Sequence, residues 1–451
     1  MAFIRRYKVK KWIYRLIFPG ILLFVFAQRS MLNSESKEIV DFKSAPSDAT
    51  DRTSPIASTT TSLWSSTGNT DRHVEMPNSG NYQFLKDQTS ISGVERPQVV
   101  QEICRKLNIF NNLNDLQLRG KFLMNRSLYY CDIPKCGSAF MEQFLSGTFQ
   151  CDGLCDEMSI TSNELRSRTI RVMGNAYSFM FVREPYARLF SAYENKLFLP
   201  NEHWKIIGTD VINTIRPHAS RVSKMLGHDV TFLELVKYVL NLYERRVRLN
   251  DHLSPMYMHC DTCEFRFNFI GKLETMSSDL VDLVEDWKTK GIVPTSKNMS
   301  AAEEIEAKML YKRSFGPYRH MFTTLKRYGE MLSRYNFFQR AWSSYQIRGL
   351  ILKKYNMPFA EYEVAKVSYA QFGAEIKKAL DASMGHKDEL KAQREEALVQ
   401  AYSSVPMDLM LKLKEFMKPD CLLFGYDDMP KLLFNRANVK TSVSYNYFKG
   451  L

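Results

Sequence analysis

Two segments combine residue types and spacings suited to holding an anion. The first is Ile133-Pro-Lys-Cys-Gly-Ser-Ala139, placed where a strand is expected to give way to a helix. First-turn N–H groups of a helix have no intrahelical partner and form a positive end. Gly137 allows close backbone approach and Lys135 adds a mobile point charge, so Pro134, Lys135, Cys136, Gly137, Ser138 and Ala139 form a candidate phosphate cradle. The second is Phe181-Val-Arg-Glu-Pro-Tyr-Ala-Arg-Leu-Phe-Ser-Ala-Tyr-Glu-Asn-Lys196. Arg183 is expected to end a strand and Ser191 to lie two turns into the next helix, where a guanidinium and a hydroxyl could converge on one phosphate. Arg188 and Lys196 add positive charge nearby, although a solvated basic helix face would account for those two equally well.

Neither segment is a Walker loop. Gly120-Lys121 and Gly271-Lys272 are not followed by Ser or Thr, which argues against an ordinary P-loop ATPase or GTPase. Cys260-Asp-Thr-Cys263 could be half a zinc site, but no second pair has matching spacing, and a structural disulfide is the better reading.

The elements that must position these residues follow from apolar patterning. Ser127 to Ile133 reads as a short buried strand, followed by a turn and a helix from about Ser138 to Leu145. Tyr177 to Val182 is a second apolar run, and Pro185 opens a helix where its missing N–H costs nothing. On that helix Tyr186, Leu189, Phe190, Tyr193 and Leu197 recur at helical spacing. Thr231-x-x-Glu234 is a capping box ahead of Phe232, Leu235, Val236, Val239 and Leu240. Alternating strands and helices predict an α/β domain with a mostly parallel central sheet.

The chain has 451 residues and a formal charge of +13, which suits any polyanion and does not choose among them. Location is more informative. Arg5, Arg6, Lys8, Lys10, Lys11 and Arg15 precede an apolar run from Leu16 to Ala27, so residues 1–11 read as a cytoplasmic tail and 12–32 as a signal-anchor. A cleaved signal peptide is the rival reading, and both lead to the secretory pathway. From Ser44 to Thr70 fourteen residues are Ser or Thr, without hydrophobic periodicity, so 33–100 reads as a stem and 101–451 as one lumenal domain. All eight cysteines fall in that lumenal part and are expected to form disulfides, with connectivity unreadable. Asn125-Arg-Ser and Asn298-Met-Ser are sequons compatible with this placement.

The two anion segments, 48 residues apart from Lys135 to Arg183, resemble the 5′-phosphosulfate and 3′-phosphate motifs of the Golgi carbohydrate sulfotransferases, in the branch of the chondroitin and dermatan 4-O-sulfotransferases and the HNK-1 sulfotransferase. The pattern R-[DE]-P-[FY]-x-R-L-x-S-A-Y is matched through Tyr193. Asp251-His-Leu-Ser-Pro255, Cys260-x-x-Cys263 and Phe269-Ile-Gly-Lys-Leu-Glu-Thr275 resemble that branch's H-W-x-P, C-x-x-C and F-[IV]-G-K-x-E-T series. Asp420-Cys-Leu-Leu-Phe-Gly-Tyr-Asp427 resembles its D-[FY]-x-L-F-G-Y-D. Three positions depart from the pattern: Ala139 and Met141 stand where Thr or Ser and then Trp are usual, and Leu253 follows His252 in place of Trp.

The resemblance implies a P-loop-NTPase-like three-layer fold and a type II Golgi membrane protein. It implies a sulfuryl group moved from 3′-phosphoadenosine-5′-phosphosulfate (PAPS) to a glycan hydroxyl, with an acidic glycosaminoglycan as acceptor, no nucleic acid and no metal. Lys135 would donate to the leaving bridging oxygen, Gly137, Ser138 and neighbouring amides would hold the 5′-phosphate, and Arg183 and Ser191 the 3′-phosphate. For the acceptor's proton His252 is the first candidate base, its ordinary pKa of about 6.5 suiting proton transfer, and Glu184 the second. A core histidine and a motif-organising salt bridge are the competing explanations of those two. A Golgi glycosyltransferase would share the anchor and stem, but the chain lacks the Asp-x-Asp triplet. An inactive glycan- or nucleotide-binding protein on the same fold is the third reading. Arg245, Arg246 and Arg248 could meet an acidic glycan or simply form a solvated helix face.

Overall fold

Three short, wholly buried runs form one side of the sheet: β2 (Leu128–Cys131), β4 (Tyr177–Val182) and β5 (Phe269–Lys272). They pair in parallel, Cys131 opposite Met180 and Val182 opposite Lys272. Strands covered on both faces read as near-continuous apolar runs, as these do. Outside them lie β1 (Arg119–Leu123) and β3 (Asp156–Ser159), giving the order β3-β1-β2-β4-β5. Only β1 runs against the others, being antiparallel to both of its neighbours. The computed structural model describes residues 91–107, 119–123, 127–149, 156–159, 175–260, 262–295, 318–435 and 445–451.

The helices are α1 (Arg96–Leu107), α2 (Ser138–Phe149), α3 (Pro185–Tyr193), α4 (Gly208–Ile215), α5 (Arg221–Leu226) and α6 (Phe232–Glu244). They continue with α7 (Met276–Thr289), α8 (Arg334–Ile347), α9 (Tyr369–Ser383), α10 (Lys387–Ser403), α11 (Met407–Phe424) and α12 (Lys431–Phe434). Alternate strand residues point to opposite faces. Tyr129, Cys131, Met180, Val182 and Ile270 pack with α1 and the end of α11, while Leu128, Tyr130, Phe179, Phe181 and Phe269 pack with α2 and α7. The result is the expected three-layer α/β architecture. Helices α3, α4, α6, α10 and α11 share a third core, and α8 and α9 a fourth. The capping box at α6 forms as its sequence requires, Thr231 and Glu234 each satisfying the other's backbone.

Three boundaries differ from the sequence reading. Helix α2 runs on to Phe149, whose ring packs 5.5 Å from that of Trp287 in the same core as Phe140, Met141, Phe144 and Leu145. The domain begins before residue 101: Ile270 donates its amide to Gly93 O at 2.9 Å, and buried Arg96 pairs with Asp279 at 2.8 Å. Residues 93–100 therefore belong to the folded body, not to a stem. The cysteines of Cys260-x-x-Cys263 are both oxidised, but to distant partners, in Cys131–Cys260 and Cys104–Cys263. Thiols used in this way cannot ligate zinc. Cys136 and Cys421 are buried free thiols. Cys151, Cys155, Asn125, Asn298, the 1–11 tail, the 12–32 anchor and the stem up to residue 90 lie outside the described residues. Among the described residues no helix is long and apolar enough to cross a membrane.

Each disulfide closes a loop of more than a hundred residues, 159 and 129 positions apart in sequence, and so restricts the unfolded chain strongly. Non-reducing peptide mapping should recover 104–263 and 131–260 linkages and no 260–263 linkage. The double substitution Cys131→Ala, Cys260→Ala should lower unfolding stability in denaturant titrations by about 2–5 kcal/mol.

Candidate active site

The cradle forms where β2 ends. The amide of Cys136 donates to Ile133 O, and the backbone turns through positive φ at Lys135 (71°) and Gly137 (91°) before α2 begins at Ser138. Positive φ at a lysine is costly and persists only where surrounding contacts hold it. A side chain at Gly137 would come within 3.2 Å of Leu273 and Met276, so glycine also lets the loop seat on the β5–α7 connection.

Those holding contacts come from Arg188. Its guanidinium is buried and donates from Nε to Pro134 O at 2.9 Å, from Nη1 to Ser254 O at 2.7 Å and from Nη2 to Asp251 O at 3.3 Å. The solvated-face explanation therefore fails for Arg188, which ties three of the sequence motifs together. Asp420 adds the fourth, its carboxylate accepting the amides of Met256 at 2.7 Å and Tyr257 at 2.9 Å. Glu274 links the other side, accepting the Glu184 amide at 2.9 Å and the Tyr426 hydroxyl at 2.9 Å.

Within this frame Arg183 reaches back to the cradle, Nη1 donating to Lys135 O at 3.3 Å. Lys135 Nζ donates to Asn195 Oδ1. Burial pulls the Lys135 ammonium well below its usual range, with neighbouring Lys196 adding to the shift, and burial likewise lowers Arg183. The two cations lie beside the first-turn amides of α2, with Glu194 acting on Lys135 and Glu274 and Glu184 on Arg183, an arrangement that fits a polyanionic nucleotide. Ser138 Oγ donates to Ile133 O at 3.0 Å, so its single proton is already engaged. Ala139 is exposed and brings no hydroxyl. Burial pushes the Cys136 thiol up to about 12, leaving it a neutral packing group against Met256. Ser191 is half-buried and, among the described residues, makes no hydrogen bond to the other predicted site residues.

Glu184 acts first as the N-cap of α3, its two oxygens accepting the amides of Tyr186 at 3.1 Å and Ala187 at 2.6 Å. Burial raises its pKa to about 7. His252 donates its backbone amide to Asn250 Oδ1 at 3.0 Å, and its ring Nδ1 lies 2.9 Å from that same oxygen. An amide oxygen only accepts, so Nδ1 carries the proton and Nε2 the lone pair.

Lys196, read from sequence only as nearby charge, and Asn195, Glu194, His203 and Arg348, to which no role was given, complete the site. After Tyr193 the helix widens into a π-helical turn, Glu194–Phe198. Its Asn195 meets Lys135, and its Lys196 Nζ lies 3.0 Å from His203 Nε2. Glu194 is buried, held by both carboxylate oxygens on Arg348 Nε at 3.0 Å. His203 repeats the arrangement of His252, with its amide at 2.8 Å and Nδ1 at 3.2 Å from Asn201 Oδ1, and the two rings lie 5.7 Å apart. The signal was present as Asn-x-His at 201–203 and again at 250–252. Arg245, Arg246 and Arg248 are exposed, Arg248 within 3.9 Å of Asp251.

Comparison with known proteins bears directly on this geometry. A family model described as "Sulfotransferase family" matches residues 122–363, more than half of the chain and the stretch that holds the cradle, Arg183 and His252. The chain belongs to the sulfotransferase family. It is 29% identical over 211 residues to carbohydrate sulfotransferase 14 of Danio rerio, covering 42% of this chain and 56% of that protein. It is 30% identical over 173 residues to carbohydrate sulfotransferase 11 of Rattus norvegicus, covering 34% and 49%. It is 27% identical over 201 residues to carbohydrate sulfotransferase 8 of Homo sapiens, covering 41% and 47%. The chain thus spans about half the length of the curated relatives it matches. No solved structure matches it significantly.

Two outcomes test this sulfotransferase site as built. Arg188→Ala should cost about 2–4 kcal/mol of stability in urea titrations, because buried carbonyls lose their donors. Arg188→Lys should recover only part of it, since one ammonium cannot span three diverging carbonyls. His203, lowered by burial and by Lys196 to about 4 from 6.5, should titrate near 4 by NMR. The folded state then binds fewer protons than the unfolded chain, so stability is full above pH 6.5 and falls on acidification through 4. A His203→Gln variant should flatten that part of the stability curve.

Proposed function

We propose that the chain is a PAPS-dependent carbohydrate sulfotransferase of the Golgi lumen, held by its N-terminal segment as a single-pass type II membrane protein and acting on an acidic glycosaminoglycan. The observation that carries the nucleotide part is the Arg183–Lys135 contact, which puts a guanidinium suited to a 3′-phosphate beside the lysine of a 5′-phosphate cradle. ATP lacks that 3′-phosphate, so the pair selects its donor by charge placement. The names of the matched relatives support the carbohydrate acceptor.

PAPS, when bound, supplies the sulfuryl group and an anionic leaving group. The amides of Gly137, Ser138 and Ala139 hold the 5′-phosphate at the N-terminus of α2. Lys135, oriented by Asn195, places its ammonium at the bridging oxygen where charge grows. Arg183 and Ser191 hold the 3′-phosphate. His252 takes the acceptor hydroxyl's proton at Nε2, its tautomer set by Asn250. Glu184 shapes the site by starting α3 and holding Arg188 in register with the cradle; both its oxygens are already engaged as acceptors.

Incubation of the full chain with radiolabelled PAPS and a panel of chondroitin, dermatan, heparan and neutral glycans is expected to label an acidic glycan. Labelling of none, with normal nucleotide binding, would overturn the transferase reading in favour of an inactive binding protein. That second reading draws on exposed Ala139 and the spent proton of Ser138. Lys135→Ala should abolish transfer. His252→Gln should lower kcat by about 10²–10⁴-fold while leaving nucleotide affinity unchanged.

A further inference from the structure

We propose that Lys196 is a second catalytic cation, one that contacts the sulfuryl oxygens of the donor, and that His203 is its positioning residue; the proposal rests on the sulfotransferase reading above.

The argument begins with the backbone. A regular helix through residue 198 would keep every side chain on the rotation set by α3, but the chain widens into a π-helical turn at Glu194–Phe198. Such turns rotate the residues that follow and recur at functional positions. Here the turn is held from behind. Arg340 donates to Phe198 O at 2.7 Å and Leu197 O at 2.8 Å, and Trp204 Nε1 donates to Leu197 O at 2.7 Å. Glu194 is fixed on Arg348 and on the Ser344 hydroxyl. With Glu194 held there, Asn195 turns to the cradle and takes Lys135, and Lys196 meets His203. Two lysines are thus oriented by consecutive positions of one turn.

Lys196 meets His203, whose ring lies 5.7 Å from that of the proposed base His252, and Lys196 is also the largest neighbouring charge acting on Lys135. Lys135 also feels Glu194, Arg348 and Arg183, and His203 also feels Glu202 and His320. Two lysines set by one turn, one on the cradle and one beside the proposed base, are placed to meet a transferring anion from two sides. His203 completes the orientation. Asn201 Oδ1 claims its Nδ1–H, which leaves Nε2 to accept from Lys196.

In the step this serves, the acceptor oxygen forms a bond to sulfur as the bond from sulfur to the 5′-phosphate bridging oxygen breaks. The electron pair of the broken bond stays on the phosphate, and the acceptor's proton goes to His252. Lys135 meets the charge on the departing oxygen. Lys196 meets the charge on the sulfuryl oxygens in flight, a load that a single lysine cannot cover from one side.

3′-Phosphoadenosine-5′-phosphate (PAP), which lacks the sulfuryl group, separates this role from nucleotide binding. On the full chain, Lys196→Met is expected to lower kcat about 100-fold with the calorimetric Kd for PAP unchanged within about threefold. His203→Leu should lower kcat about tenfold, and His203→Gln, whose amide oxygen still accepts from Lys196, should restore it. Unchanged kcat in Lys196→Met, or a loss of PAP affinity as large as the loss of kcat, would overturn the assignment and leave the sulfotransferase reading standing. Failure of the unsubstituted chain to bind PAP would remove that reading and this proposal with it.

Discussion

The site depends on one buried guanidinium. Arg188 lies in the second turn of α3, and burial obliges it to find acceptors inside the protein. It finds three backbone carbonyls, at Pro134, Ser254 and Asp251. These belong to segments far apart in sequence that make no common secondary structure. Satisfying one side chain therefore fixes the cradle, the His252 loop and the start of α3 relative to one another. Asp420 lies close enough for the Arg188 charge to act on it, opposing the burial that raises its carboxyl to about 6. The cation thus has a carboxylate near it, while its direct bonds all go to backbone.

A second constraint acts at the other end of α3. The helix is anchored at its start by Glu184 and at its end by Glu194, and between these caps its length is fixed. The π-helical turn absorbs the mismatch between continuing the helix and meeting Arg340, whose guanidinium stacks on Trp204 and Phe198. Strain at such a turn is tolerated where the surrounding core over-determines it. The outcome is a basic wall in which Lys135 donates to Asn195, Arg183 donates to the Lys135 carbonyl and Lys196 meets His203.

The disulfides serve the same geometry from below. Cys131 closes the last residue of β2, just before the cradle, onto Cys260, and Cys104 closes α1 onto Cys263. The segment between Met256 and Cys263 is thereby held to the sheet through covalent bonds and through Asp420. At Leu253, where the resembling branch carries Trp, the side chain is buried in the core shared by α3 and α6, so the substitution is accommodated by packing.

Much of this was legible in residue order because the relevant physics is local. Apolar runs such as Tyr177–Val182, the proline opening α3 and the capping box at Thr231 each act within one turn or strand, and each appears where its pattern placed it. The turn at 133–139 and the place of Arg183 just after β4 were legible for the same reason: a strand end, a glycine and a helix start lie within a few residues. What the sequence could not convey is which distant groups a buried charge or thiol would find. Arg188 and a solvent-facing arginine look alike on a helical wheel, and Cys260-x-x-Cys263 looks like a local pair. Tertiary structure alone decided that Arg188 turns inward to three carbonyls, that the two cysteines part company, and that a π-helical turn presents Lys196. Each outcome depends on desolvation and on contacts between residues remote in sequence, and neither is encoded in local spacing.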